Sequence, residues 1–171
     1  MIIEAIVEIP EGSPYKYEVD KNTNELVLDR VLPFNCPYNY GYIPHTLCGD
    51  GDPLDIFIIS RFPIPSKTRV KIKLLKVYRC NDNGEQDDKL VGVLVGEEDM
   101  IYPGETDLEL FLSGIEDYLT SYKEGFKLIS RYGPKTAEKV VKEAVKQHAI
   151  KYSPVYANDL SDRLLSIEST K

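Results

Sequence analysis

Several residue types on which common chemistries depend are scarce in this chain of 171 residues. There are three cysteines, Cys36, Cys48 and Cys80, and their spacing matches no zinc-binding motif. We therefore predict reduced thiols, as in a cytoplasmic protein, rather than a disulfide framework. There are two histidines, His45 and His148, so catalysis by a cysteine or histidine nucleophile is not favoured.

Long apolar runs and clustered positive charge are lacking as well. No stretch approaches the ~18 consecutive apolar residues that a membrane-spanning helix needs, and residues 1–5 show no basic segment of a signal peptide. The formal net charge of −7 disfavours a nucleic-acid-binding protein, but acidic residues that hold metal ions are compatible with an anionic substrate. Walker A and G-x-S-x-G patterns are also missing. The sequence thus predicts a soluble protein with no nucleic-acid or membrane partner.

The first half of the chain has the short alternating pattern of β-strands. Alternating or continuous apolar residues predict strands at 3–9, 15–19, 25–30, 56–60, 70–79 and 90–95. We expect the first two strands to form a hairpin, and Asn83-Gly84 predicts a second hairpin between the last two. Residues 31–54 are rich in Pro, Gly, Asn and Tyr, which predicts a long, ordered and functional loop.

Two helices are predicted late in the chain. Thr106 is a suitable cap for a helix whose apolar stripe runs from Leu108 to Tyr122. Pro134 begins a second amphipathic helix, and residues 152–171 are expected to form a peripheral tail or a short docking helix. Many short strands followed by two helices predict a single mainly β domain of the α+β class, a small closed β-barrel with helices packed outside.

The densest group of potential metal ligands is the run Asp50-Gly51-Asp52-Pro53-Leu54-Asp55. Three carboxylates within six residues suit a small hard cation such as Mg²⁺. An EF-hand would need Gly at its sixth position and Glu at its twelfth, where this chain has Asp55 and Arg61. Since Asp, Gly and Pro also favour turns, an acidic surface turn is the alternative for this run taken alone.

Other charged and phenolic residues could belong to the same site. Asp82 and Asp87 bracket the Asn83-Gly84 turn and are followed by Lys89, although a solvated hairpin tip would have the same pattern. Many carboxylates, a few Lys or Arg side chains and several Tyr hydroxyls together suit phosphoryl transfer. In such reactions metals activate water and cations stabilise the departing phosphate.

These residues occur in an order that resembles the soluble family I inorganic pyrophosphatases. The run from Asp50 to Asp55 is similar to the family signature D-G-D-P-x-D. Further matching segments are Val7-Glu8-Ile9-Pro10, Lys16-Tyr17-Glu18, Asp29-Arg30, Asn39-Tyr40-Gly41-Tyr42-Ile43-Pro44, Asp82, Asp87-Asp88-Lys89-Leu90 and Tyr122-Lys123. The resemblance extends over about residues 2–130.

The resemblance implies a five-stranded OB-like barrel that hydrolyses pyrophosphate to two orthophosphates with a metal-activated water and several Mg²⁺ ions. It implies Asp52 as the general base and the following metal ligands: Asp50, Asp55, Asp82, Asp87 and Glu8. The implied substrate-binding residues are Lys16, Arg30, Tyr40, Lys89, Tyr122 and Lys123, and Glu18 would orient Lys16 or Arg30. It also implies a cytoplasmic homo-oligomer, with a hexamer favoured. The alternative is a non-catalytic module that binds divalent metal or phosphate on the same barrel.

The chain departs from the family pattern at a few positions. Cys36 stands where the family often has a tyrosine, and Tyr38 is a candidate substitute for the missing hydroxyl. Asp117 and Ser121 stand where some hexameric members have histidines, which weakens the prediction of a hexamer.

Overall fold

A computed structural model describes residues 1–19, 23, 25–101, 105–121 and 124–152. The strands are β1 (Ile2–Ile9), β2 (Tyr15–Val19), β3 (Leu26–Val31), β4 (Asn39–Tyr42), β5 (Asp55–Ile59), β6 (Arg69–Asp82), β7 (Glu85–Gln86), β8 (Lys89–Leu94) and β9 (Phe126–Tyr132). The helices are α1 (Glu98–Ile101), α2 (Glu105–Ser121) and α3 (Pro134–Tyr152). Apart from Tyr152, the predicted tail lies outside the described residues.

Five strands form a closed hydrogen-bonded ring in the order β1, β4, β5, β8 and β6, because β6 pairs back onto β1. The pairing of β5 with β8 is parallel, whereas the other four pairings in the ring are antiparallel. The strands β7 and β9 each pair with β6 in antiparallel orientation, outside the ring. The strands β2 and β3 pair with each other in a separate hairpin. The predicted mainly β fold with a closed five-stranded sheet and two main helices is therefore confirmed.

Each of the two main helices covers its own hydrophobic cluster. Residues on α3, including Val140 and Ala144, pack with inward-facing residues of β1, β5, β6 and β8. Residues on α2, including Leu112 and Ile115, pack with the alternate side chains of the same strands, such as Phe57 on β5. Because successive strand residues point to opposite faces, one five-residue strand supplies both clusters.

Two glycines allow the strands of the ring to approach one another closely. A Cβ atom at Gly41 would lie 1.9 Å from the Ile6 carbonyl oxygen on β1, and one at Gly92 would lie 2.2 Å from Cγ2 of Ile72 on β6. Gly41 separates Tyr40 from Tyr42, so the tight crossing of β1 and β4 also fixes the position of both phenols.

The structure corrects three details of the predicted element order. The expected hairpin of the first two strands is wrong, since β1 pairs with β4 and β6 while β2 pairs with β3. The segment 31–54 contains the short strand β4, which its Gly and Asn content concealed. Strand β9 was not predicted because its alternation is weak and it lies on the edge of β6. The Asn83-Gly84 turn is confirmed, with positive φ at both residues.

No helix within the described ranges has the length and apolar character that a membrane crossing requires.

Candidate active site

A cavity of about 390 Å³ opens where the β2–β3 hairpin, the β4–β5 loop and α2 meet one end of the ring. All of the predicted site residues that the structure describes line this one cavity. They are Glu8, Lys16, Glu18, Arg30, Tyr40, Asp50, Asp52, Asp55, Asp82, Asp87 and Lys89. Tyr122 and Lys123, also predicted, lie outside the described residues.

The register of three neighbouring strands brings the centre of this site together. Tyr42 on β4 is paired with Asp55 on β5, and Asp55 is paired with Lys89 on β8. The Tyr40 hydroxyl and the Lys89 ammonium both donate hydrogen bonds of 2.5 Å to Oδ2 of Asp55, and Lys89 also donates one of 2.5 Å to Oδ1 of Asp87. Residues almost 50 positions apart in the chain thus form one charged cluster.

The acidic loop before β5 is held by its own backbone. The Cys48 amide donates to the Asp52 carbonyl at 2.7 Å, and the Asp52 amide donates to Oδ1 of Asp50 at 3.0 Å. Gly51 adopts a φ of +91°, which other residues rarely adopt. Leu54, which is 1% exposed, anchors the loop in the core, so the Asp52 side chain stays exposed beside the half-buried Asp55. The run does form a turn, as its Asp, Gly and Pro content indicated, and the side chains of Asp50 and Asp52 line the cavity.

The hairpin of β2 and β3 supplies the cationic side of the cavity. Lys16 and Arg30 are directly paired across the two strands. Like charges in such a pair repel, and nearby carboxylates offset the repulsion. Glu18 accepts a hydrogen bond of 3.2 Å from Lys16, and Arg30 lies 3.4 Å from Oδ2 of Asp29. Glu18 therefore contacts Lys16, as predicted for an orienting residue.

Burial and crowding shift the protonation of two acids in the cavity. The pKa of Glu8 is raised to about 7, mainly by burial, with Lys16 acting to lower it and the charges of Asp55 and Glu18 acting to raise it. Burial likewise raises the pKa of Asp50 to about 6, with a contribution from Asp87. Both carboxylates should therefore keep a proton to higher pH than they would in water, because burial disfavours their charged forms.

The raised pKa of Glu8 predicts an unusual pH dependence for the protein without divalent cations. Because the pKa of Glu8 rises from 4.5 to about 7 on folding, the folded state binds more protons than the unfolded state within that window. The contribution of Glu8 to the free energy of unfolding should therefore be largest below pH 4.5, and it should fall by about 3 kcal/mol as pH rises from 4.5 to above 7. Urea unfolding in EDTA at several pH values measures this decline.

The Glu8→Gln variant should remove most of that decline between pH 5 and 8. Glu4→Gln is the matched control, because Glu4 lies on the same strand but is exposed beside Arg69. Equal pH dependence of wild type and Glu8→Gln would contradict the assignment.

The donor set of the cavity fits a divalent cation. Its carboxylates outnumber its ammonium and guanidinium groups, and carboxylate oxygens are the ligands that small hard cations prefer. Within the described residues, no three Asp, Glu, His or Cys side chains are already arranged around one point as a metal site. Lys89 lies between Asp55 and Asp87 instead and acts as their counter-ion. Burial acts to lower the pKa of Lys89, whereas the charges of Asp55 and Asp87 act to raise it. The net effect is a raised pKa.

Asp88 faces away from the cavity and holds the strand that carries Asp87 and Lys89. Its buried carboxylate pairs with Arg79, accepts a hydrogen bond of 2.7 Å from Gln86 and one of 3.3 Å from the Cys80 amide. These contacts fasten the start of β8 to β6, so its two neighbours are presented to the cavity on the opposite face.

Two further phenols line the cavity: Tyr42 on β4, which the sequence analysis named without giving it a role, and Tyr118 on α2, which it missed. Tyr118 follows Ile115 by three residues, so the helical period places it at the edge of the apolar stripe, and this spacing could have identified it. The suggested role of Tyr38 is not supported by its packing. Its ring lies against Phe111 at 5.6 Å between ring centroids, and its hydroxyl lies close to Gly114.

The fold and the cavity together define a hydrolase site for a compact polyanion. Carboxylates suited to divalent cations line the same cavity as three cationic side chains, Lys16, Arg30 and Lys89, and the exposed Asp52 lines it as well. This arrangement is the one expected of an enzyme that cleaves a phosphoanhydride with a metal-assisted water.

Known proteins of similar sequence and structure narrow this class. The family model for inorganic pyrophosphatase matches residues 5–149. Soluble inorganic pyrophosphatase 2 of Chlamydomonas reinhardtii is 35% identical over 162 residues, which is 89% of this chain and 83% of that protein. The inorganic pyrophosphatase of Xylella fastidiosa is 40% identical over 110 residues, which is 63% of this chain and 60% of that protein. The crystal structure of an inorganic pyrophosphatase from Neisseria gonorrhoeae has a TM-score of 0.78 at 33% identity, and the match covers 86% of this chain and 91% of that one.

The chain therefore belongs to the inorganic pyrophosphatase family. Its reaction is the hydrolysis of pyrophosphate to two orthophosphates, and the alternative of a non-catalytic binding module is not favoured.

Proposed function

We propose that this pyrophosphatase uses Mg²⁺, held by carboxylates of the cavity, and that Asp52 is its general base. The observation that carries this proposal is the convergence of five acidic side chains from four parts of the chain on the cavity that also contains Lys16, Arg30 and Lys89. The proposed metal ligands are Glu8, Asp50, Asp55, Asp82 and Asp87. When bound, the metal would lower the pKa of a coordinated water and neutralise phosphate oxygens.

The remaining residues of the cavity would bind and orient the substrate. Lys16 and Arg30 would bind one phosphate group and Lys89 the other, with Tyr40 beside it. Glu18 would hold Lys16 in place through the 3.2 Å hydrogen bond. Tyr122 and Lys123 complete the proposed set on the strength of the sequence resemblance.

Asp52 is suited to accept the proton of the attacking water. Its backbone is fixed by two hydrogen bonds, whereas its exposed carboxylate remains open to the cavity. A general base in this position needs only the ability to accept a proton from a water whose pKa has already been lowered.

The metal assignment predicts that phosphate release from pyrophosphate requires Mg²⁺ and is inhibited by Ca²⁺. Ca²⁺ accepts more ligands at longer distances, so it should occupy the carboxylates without holding the attacking water well. Phosphate release should be measured in EDTA, with Mg²⁺, with Ca²⁺ alone and with both ions. Full activity in EDTA would contradict metal dependence, and full activity with Ca²⁺ alone would contradict the preference for Mg²⁺.

The setting of the enzyme is also a proposal. We infer a cytoplasmic homo-oligomer, with a hexamer favoured. The exposed apolar side chains Leu110 on α2 and Ile129 on β9 support self-association, and three free cysteines are compatible with a reducing compartment. Light scattering coupled to gel filtration measures the subunit count.

A further inference from the structure

We propose that the hydroxyl of Tyr118 is a further substrate-binding group of this enzyme, one that contacts a phosphate oxygen from helix α2. The inference rests on pyrophosphate occupying the cavity as proposed above. It is carried by the position of Tyr118 on the cavity wall, by its aromatic contacts and by the nature of its neighbour Cys36.

The wall beside α2 is otherwise apolar. Among the described residues of α2, Tyr118 and Leu119 line the cavity, and only Tyr118 carries a polar side-chain atom. Leu119 is 2% exposed, whereas Tyr118 is half-buried, so its ring reaches from the core towards the opening. A phenol in this position can pack its ring against apolar neighbours and still offer a hydroxyl to the cavity.

Aromatic contacts fix the ring of Tyr118 relative to the established centre of the site. It meets Phe57 edge-on, with ring centroids 6.0 Å apart and an angle of 84°. Phe57 meets Tyr40 edge-on at 4.8 Å, and the Tyr40 hydroxyl donates to Asp55. Tyr40 and Tyr118 thus both contact Phe57, and both side chains line the cavity.

The buried thiol of Cys36 is one protein partner of the Tyr118 side chain. That side chain hydrogen bonds to the thiol, and Cys36 is 1% exposed. Sulfur is a weak hydrogen-bond acceptor, whereas a phosphate oxygen carries charge and accepts strongly. A phosphate oxygen in the cavity would therefore compete well with this thiol for the hydroxyl.

Steady-state kinetics of Tyr118→Phe tests the proposal. The variant keeps the ring and its contact with Phe57 and removes only the hydroxyl. With Mg²⁺ we expect KM for pyrophosphate to rise about 10-fold and the inhibition constant of product phosphate to rise similarly, as for the loss of one hydrogen bond to a charged group. Tyr78→Phe is the matched control, because Tyr78 also bonds to α2, at 3.2 Å to the Leu112 carbonyl and 3.1 Å to Glu116, but is fully buried. It should lower the Tm and leave KM unchanged.

Cys36→Ala separates binding of substrate from support of the fold. If the Tyr118 hydroxyl binds phosphate, Cys36→Ala should retain kcat/KM within about two-fold of wild type. The inference is overturned if Tyr118→Phe keeps the wild-type KM and phosphate inhibition constant. It is also overturned if Cys36→Ala raises KM as much as Tyr118→Phe does, because the hydroxyl would then act by holding the thiol. A wild-type protein without turnover would instead contradict the assigned hydrolysis itself.

Discussion

Asp52→Asn is expected to lower kcat for pyrophosphate hydrolysis by about 10³-fold, within the range usual for loss of a general base. The amide has the shape of the carboxylate but cannot accept the proton of the attacking water. The two hydrogen bonds that position the residue involve its backbone amide and carbonyl, so the substitution leaves the loop intact. The expected loss is therefore one of chemistry and not of structure.

Binding measurements separate this role from that of a metal ligand. Mg²⁺ titrated into Asp52→Asn by calorimetry should bind within a few-fold of its wild-type affinity, while the same change at Asp55 should weaken binding strongly. Asp99→Asn, an exposed acid on α1, is the control for loss of one negative charge. If Asp52→Asn kept a third or more of wild-type kcat, another group would have to be the base.

The sequence proposed the residues of the cavity, but not the contacts that bring them together. The spacing of Asp50, Asp52 and Asp55 is set within one loop, yet local chemistry left an acidic surface turn as the alternative until the family resemblance was considered. The role of Lys89 depended on the resemblance, because its contact with Asp55 is created by the parallel pairing of β5 and β8 across 34 residues. Periodicity within a segment carries no information about that pairing.

The elements that escaped prediction are those whose stability comes from their neighbours. Strand β4 has four residues, Asn39–Tyr42, and forms because β1 and β5 supply hydrogen bonds on both of its edges. Its low intrinsic strand propensity is overridden by this tertiary context. Tyr118 was missed for a related reason: the helical stripe identifies an apolar face, but it does not show where that face ends at a cavity.

Lys89→Met is expected to separate two roles of this buried lysine: counter-ion of Asp55 and Asp87, and proposed ligand of the substrate. In the protein without metal, Lys89 is 5% exposed and neutralises Asp55 and Asp87 at 2.5 Å each. Removing one partner of a buried ion pair leaves uncompensated charge, so the free energy of unfolding in EDTA should fall by about 3 kcal/mol. Methionine fills much of the space of the aliphatic stem, so the loss reflects charge more than packing.

Mg²⁺ should then stabilise Lys89→Met more than it stabilises the wild type. A divalent cation bound to Asp55 and Asp87 replaces the lost counter-ion, and in the variant it no longer competes with an ammonium group. Catalysis should not recover, because the phosphate group that Lys89 is proposed to bind would lack its cation; we expect kcat/KM to fall by about 10²-fold.

Thermal unfolding with and without Mg²⁺, together with kinetics at saturating Mg²⁺, measures both effects on the same protein. Lys71→Met is the control, since Lys71 is an exposed lysine on β6. An equal shift of Tm by Mg²⁺ in wild type and Lys89→Met would show that the ammonium and the metal do not share these carboxylates. The carboxylates that outnumber the cations of the cavity would then have to bind the metal elsewhere in it.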